Sequence, residues 1–169
     1  DKLAAHVRDL VAAHQAPISL VGWSLGGIYA REVAKRLRGR VRQVVTIGTP
    51  FAGATHHTRA GLVYRLLNGN DAEFDETMSR TLRTPPNVPT SSIYSRSDGV
   101  VAWQACLQPG SRAWTENIEV GGSHCGLGWN SDVFRVLADR LSQPERAWRP
   151  YRAPGNADTP TRHDPVSAA

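Results

Sequence analysis

Gly22-Trp23-Ser24-Leu25-Gly26 places one hydroxyl midway between two glycines, with a short apolar run before it and a helix-like pattern after it. A G-x-S-x-G segment set between strand and helix can present its serine as a nucleophile at a sharp turn. Such a turn works only where the residues two before and two after the serine are very small, so that the two arms can approach. Gly22 and Gly26 supply that room. Ser24 Oγ would then stand above the helix N-terminus, where the Leu25 backbone N–H points at a developing oxyanion. The plainer alternative, a glycine- and serine-rich turn with no chemistry, uses the same residues.

A serine hydroxyl attacks poorly until a base takes its proton. On a scaffold of this kind the chain order is serine, acid, histidine. His6 and His14 precede Ser24, His56 and His57 precede any good acid, and His163 lies near the C-terminus. His124 remains, in the loop Gly121-Gly-Ser-His-Cys-Gly-Leu-Gly128. The acid that orients the imidazole should end a strand between the two, and Asp98 in Ser95-Arg-Ser-Asp-Gly99 does so. Asp-Gly is also an ordinary turn pair, so that alternative stays open for Asp98. Asp71, Glu73, Asp75 and Glu76 fall in a helical insertion, and Asp132 looks like part of a helix start.

Positioning these residues takes alternating elements. Leu3, Val7, Leu10 and Val11 recur at helical spacing over residues 1–14, with Pro17 just beyond. Ile18–Trp23 is apolar on nearly every residue, which suits a strand covered on both faces of a parallel sheet. A helix over about 25–38 and a second buried strand over Val41–Gly48 complete a βαβ unit, whose crossover is expected to be right-handed. Residues 51–90 read as a small helical insertion ending in the stiff stretch Thr84-Pro-Pro-Asn-Val-Pro-Thr90. Strand character returns at 91–95 and 117–121, and a last helix spans about 132–141, with Asn130 or Ser131 as its cap. The fold class is thus α/β, three-layer α/β/α with a mainly parallel sheet. Residues 1–142 read as one domain, and 143–169, rich in Pro and Arg, is expected to be mostly disordered.

Composition narrows the classes. The 169 residues are 40% hydrophobic and 21% charged, which excludes a fibrous or broadly disordered chain. No apolar run reaches the roughly 18 residues of a membrane span. Net charge is +5, yet the basic residues are scattered among 15 acids with no stripe of interleaved aromatics, so a nucleic-acid partner is not expected. Cys106 and Cys125 form no metal-binding motif. A Cys106–Cys125 disulfide is sterically conceivable, and a Cys125–His124 nucleophilic pair is disfavoured because adjacent side chains in an extended loop point apart. Neither a leader peptide nor a start Met is visible, which leaves compartment open.

Four separated blocks carry a resemblance: Gly22-Trp-Ser-Leu-Gly-Gly-Ile-Tyr-Ala-Arg-Glu32, Thr46-Ile-Gly-Thr-Pro-Phe-Ala-Gly53, Tyr94-Ser-Arg-Ser-Asp-Gly-Val-Val101 and Gly122-Ser-His-Cys-Gly-Leu127. Together they resemble the carboxyl-terminal part of an α/β-hydrolase of the bacterial lipase and esterase branch. The resemblance implies Ser24 as nucleophile, His124 as general base and acid, Asp98 as its orienting partner, and hydrolysis of small-molecule or lipid-like carboxylic esters through an acyl-enzyme, with no cofactor and no metal. It further implies that 51–90 is a lid, with Phe51, Phe74, Met78 and Trp103 as candidates for lining an acyl pocket or for plain core. That family builds a larger sheet, whose amino-terminal strands and second oxyanion donor, often beside a His-Gly pair, have no counterpart here. Ile18–Trp23 is then expected at a sheet edge, open to self-association. A weak or inactive half-domain, and acyl transfer to an alcohol or thiol, stand as alternatives.

Overall fold

The computed structural model describes residues 2–52, 76–109 and 112–153. In chain order the elements are α1 (Lys2–His14), β1 (Ile18–Trp23), α2 (Leu25–Arg36), β2 (Val41–Ile47), α3 (Glu76–Arg83), β3 (Thr90–Tyr94), β4 (Thr115–Glu119) and α4 (Ser131–Ser142). Short 3₁₀ turns occupy Trp103–Cys106 and Gly126–Trp129. The four strands form one parallel sheet in the order β1-β2-β3-β4.

Strand alternation explains the layering. Val44 and Val45 are both fully buried, and as neighbours on β2 they point to opposite faces. Val44 joins Ala4, Val7, Ala30, Val33 and Ala34 from α1 and α2, while Val45 joins Ile93, Ile118, Val133 and Val136 beneath α4. Each such burial is worth about 1.5–3 kcal/mol. The centre of the sheet is therefore the firmest part of the frame. The result is a helix-sheet-helix sandwich of the α/β-hydrolase kind. Among the described residues β1 is packed on one face: Leu20 joins the cluster under α1 and α2, whereas Val21 and Trp23 are each 44% exposed.

Three local expectations meet different outcomes. Asn130, not Ser131, caps α4, its Oδ1 accepting from the amides of Asp132 at 2.7 Å and Val133 at 3.2 Å. Within 143–169, expected to be mostly disordered, residues 143–153 are described and lie against the domain. Buried Arg140 pairs with Glu116 at 2.8 Å and donates to the Arg149 carbonyl at 2.6 Å, and the Tyr151 amide donates to Glu116 at 2.6 Å. Polar composition hid this docking, because two buried charges anchor it and Tyr151 alone adds its ring to the core cluster beneath α4. Residues 154–169 lie outside the described residues, as do 53–75 of the expected insertion, with Phe74 among them. Cys106 and Cys125 are both free thiols, so the conceivable disulfide is not formed.

Arg31 gives α2 a second task. The residue is 1% exposed, and its guanidinium stacks 3.7 Å over the Phe51 ring and donates from Nη2 to Gln108 at 2.9 Å and to the carbonyls of Leu82, Arg83 and Thr84. Those carbonyls end α3, so a cation meets the negative end of the helix dipole. Burial pulls the group down to about 9, still charged at neutral pH. Arg31→Met is expected to destabilise the protein by about 1–3 kcal/mol, the cost of buried acceptors losing their donor. Urea melts should show that loss, with amide exchange accelerating first in α3.

Candidate active site

All four strands run the same way, so their carboxyl ends share one edge of the sheet. Trp23, Ile47, Ile93 and Ile118 stand in register there. Ser24 follows β1 directly, Asp98 lies in the loop after β3, and His124 lies in the loop after β4. Open α/β sheets bind ligands outside this edge.

Ser24 sits at φ 51° and ψ −124°, a left-handed conformation that costs a non-glycine residue on the order of 1–3 kcal/mol. What holds it is backbone on both sides: its N–H donates to the Ile47 carbonyl at 2.8 Å, and its carbonyl accepts from Gly27 at 3.1 Å. Leu25 opens α2, which sets its amide in the N-terminal turn beside Ser24. A Cβ on Gly22 would stand 2.4 Å from the Gly26 carbonyl oxygen and 2.4 Å from Gly27 Cα, so no side chain fits there. Gly26 differs from the sequence reading, because a Cβ there meets nothing within 4 Å. The second tight position is Gly27, whose Cβ would fall 2.1 Å from Thr49 Oγ1. Gly22→Ala is expected to cost more than 3 kcal/mol or prevent folding, whereas Gly26→Ala is neutral or stabilises α2 by up to about 1 kcal/mol. Thermal melts of the two variants separate them.

Three side chains from distant points in the chain then meet. His124 Nδ1 lies 2.7 Å from Asp98 Oδ2, and His124 Nε2 lies 3.0 Å from Ser24 Oγ. The carboxylate can only accept, so Nδ1 donates to it and Nε2 is left to accept the Ser24 hydroxyl proton. Asp98 is 4% exposed, and its other oxygen accepts from the amides of Val100 at 3.0 Å and Val101 at 2.6 Å. One oxygen of Asp98 thus closes the turn while the other faces His124. His124 is 8% exposed, and its own amide donates to the Asp98 carbonyl at 2.8 Å. Ser95 Oγ, donating to the Gly122 carbonyl at 2.7 Å, ties the same two loops together.

The other candidates stand elsewhere. His6 and His14 lie on α1, Asp132 pairs with Arg135 on α4, and His56, His57, His163, Asp71, Glu73 and Asp75 fall outside the described residues. Glu76 begins α3. Cys125 is exposed beside His124, whose ring nitrogens are already engaged. Burial, with the Asp98 charge second, pushes the Cys106 thiol up to about 12, so it stays protonated and unreactive. Phe51 is taken up by Arg31, and Trp103 stacks on Tyr94 beneath Arg96, so both are packing residues. Among the described residues, no group of three or more His, Cys, Asp and Glu side chains gathers for a metal ion, and no helix is long and apolar enough to cross a membrane.

Sequence reasoning passed over Gly48. Its φ is +54°, and a Cβ there would lie 3.2 Å from Asp98 Oδ2, 3.3 Å from His124 Nδ1 and 3.1 Å from Leu127 Cδ1. The end of β2 is thus the floor under the histidine-carboxylate contact. A glycine placed immediately after a fully buried strand was the available signal.

The thioesterase domain family model matches residues 1–96, more than half of the chain. Among solved structures, the fold is similar to a lipase of Bacillus licheniformis in its mature form, with a TM-score of 0.62, 18% identity, and coverage of 82% of this chain and 71% of that one. It is similar to lipase B of Aspergillus fumigatus, with a TM-score of 0.65, 22% identity, and coverage of 86% and 41%. It is also similar to the esterase domain of a Rhodothermus marinus protein, with a TM-score of 0.59, 25% identity, and coverage of 83% and 64%. The chain thus spans less than two thirds of the length of the last two. Among curated proteins, no relative matches.

Proposed function

Because the chain belongs to the thioesterase domain family, hydrolases of the ester and thioester type, we propose that it cleaves acyl esters and thioesters through an acyl-enzyme on Ser24. The observation that carries this reading is the chain of two short contacts, Asp98 to His124 at 2.7 Å and His124 to Ser24 at 3.0 Å, at the carboxyl edge of the sheet. The family widens the carboxylic ester expected from sequence to include a thioester.

His124 Nε2 takes the Ser24 proton as Oγ bonds to the acyl carbon, and the carbonyl oxygen gains its negative charge beside the Leu25 amide. Asp98 holds Nδ1–H and stabilises the imidazolium so formed. The tetrahedral species collapses as Nε2–H protonates the leaving oxygen or sulfur, which departs as alcohol or thiol. Water then gives a proton to Nε2 and adds to the acyl carbon. Collapse of that second intermediate releases the acid and restores the Ser24 hydroxyl. Pre-set strain at Ser24 keeps Oγ clear of the α2 N-terminus for this attack.

The test is hydrolysis of p-nitrophenyl butyrate and of butyryl-N-acetylcysteamine, with acid-quenched samples weighed for a butyryl group on the Ser24 peptide. The expected result is turnover of both with that mass increment. Turnover that persists in Ser24→Ala would overturn the reading.

A further inference from the structure

We propose that Trp23 is a positioning residue for His124, its indole fixing the imidazole between Asp98 and Ser24 and favouring the ring once it carries a proton. The proposal rests on the triad reading above. Trp23 is the last residue of β1 and directly precedes Ser24. Its ring centroid lies 5.7 Å from that of His124, with the planes 32° apart. Trp23 and His124 are 101 positions apart in sequence, brought together by the same turn that presents the nucleophile.

The geometry leaves a need that Trp23 meets. The two hydrogen bonds of His124 run through Nδ1 and Nε2 and define an axis from Asp98 to Ser24. Hydrogen bonds at the two ends of an axis do not prevent the ring from rolling about it. A contact against the ring itself does. Gly48 lies beside Nδ1, at one end of that axis, whereas the indole lies against the ring itself and opposes the roll. An aromatic face within about 6 Å of a cation also attracts it. His124 gains positive charge as the Ser24 proton moves to it, so this attraction grows as the transition state forms. Among the described residues that meet the ring, Asp98 on the β3 loop carries the charge, the elbow contributes Ser24 and Trp23, and the end of β2 brings Gly48 beside Nδ1. The exposure of Trp23 has a plainer source in the uncovered face of β1, since Val21 is equally exposed. Bare exposure, however, calls for no ring partner, and Val21 has none to hold.

Trp23→Phe and Trp23→Leu test this on the full chain. Phe keeps an aromatic face, and Leu keeps an apolar cover without one. The rate of Ser24 phosphonylation by a fluorophosphonate is followed across pH, beside thermal melts of each variant. The expected result is a rate within about twofold of the parent for Phe and about threefold to tenfold lower for Leu. In the Leu variant the acid limb of the profile moves to lower pH, because the protonated ring loses the attraction of the aromatic face. A Leu variant that reacts like the parent, or Phe and Leu variants equally slow with an unmoved acid limb, would overturn the proposal. If the parent itself is not labelled at Ser24, the triad reading fails. The position of Trp23 is then decided by NMR of ¹⁵N-labelled histidine: the expected loss of the ring-current shift and a lower titration midpoint of His124 in Trp23→Leu support it, and unchanged signals overturn it.

Discussion

Ser24→Ala lowers turnover of acyl esters and thioesters on the order of 10⁴- to 10⁶-fold, the scale seen when a hydrolase loses its nucleophile. The variant should nevertheless fold as the parent does. Ser24 Oγ contacts His124 Nε2 at 3.0 Å, and the turn around it is held by backbone contacts from Ile47 and Gly27, which alanine keeps. Ser24→Gly separates the two roles of this position. Glycine accepts φ 51° without strain, so stability should rise by about 1 kcal/mol and the melting temperature by about 2–4 °C, with activity still absent. A gain in stability at the cost of activity would identify the elbow as strain stored for attack. If both variants melt lower than the parent, Ser24 is a structural turn residue.

Asp98→Asn should reduce turnover about 10⁴-fold through the imidazole tautomer. The amide oxygen of Asn can still accept from the Val100 and Val101 amides, at 3.0 and 2.6 Å in the parent, so the loop stays formed. Its NH₂ then faces His124 Nδ1, which must become the acceptor and push the ring proton to Nε2. A protonated Nε2 cannot take the Ser24 proton across the 3.0 Å contact. Steady-state kinetics with an unchanged thermal melt would show this. Retention of a tenth of the parent activity would mean that Asp98 is a turn residue alone, and that another group orients His124.

Much of this arrangement was legible in sequence because its determinants are local. Ser24 could be read from a glycine pair between an apolar run and a helical one, and His124 from a glycine-rich loop after the last strand. Asp98 was harder, since Asp-Gly serves a turn as readily as a site, and here its two oxygens face the turn amides and His124. Gly48 and Gly27 escaped because their constraint comes from contacts across the sheet, with Asp98, His124 and Thr49, that no local pattern encodes. Gly26 was over-read for the same reason: the pentapeptide suggests two tight glycines, and the close approach lies between Gly22 and the backbone of Gly26 and Gly27. The docked stretch 143–153 is held by Arg140 and Glu116, two charges whose burial no hydropathy pattern announces.

The most direct test of an activated Ser24 is mass spectrometry of the 169-residue chain after reaction with a fluorophosphonate, with Ser24→Ala treated alongside. The expected result is a single phosphonyl increment mapped to the peptide that carries Ser24, absent from the variant and strongly reduced in Asp98→Asn. Folded protein that takes up no label, or that is labelled equally in Ser24→Ala, would contradict the account.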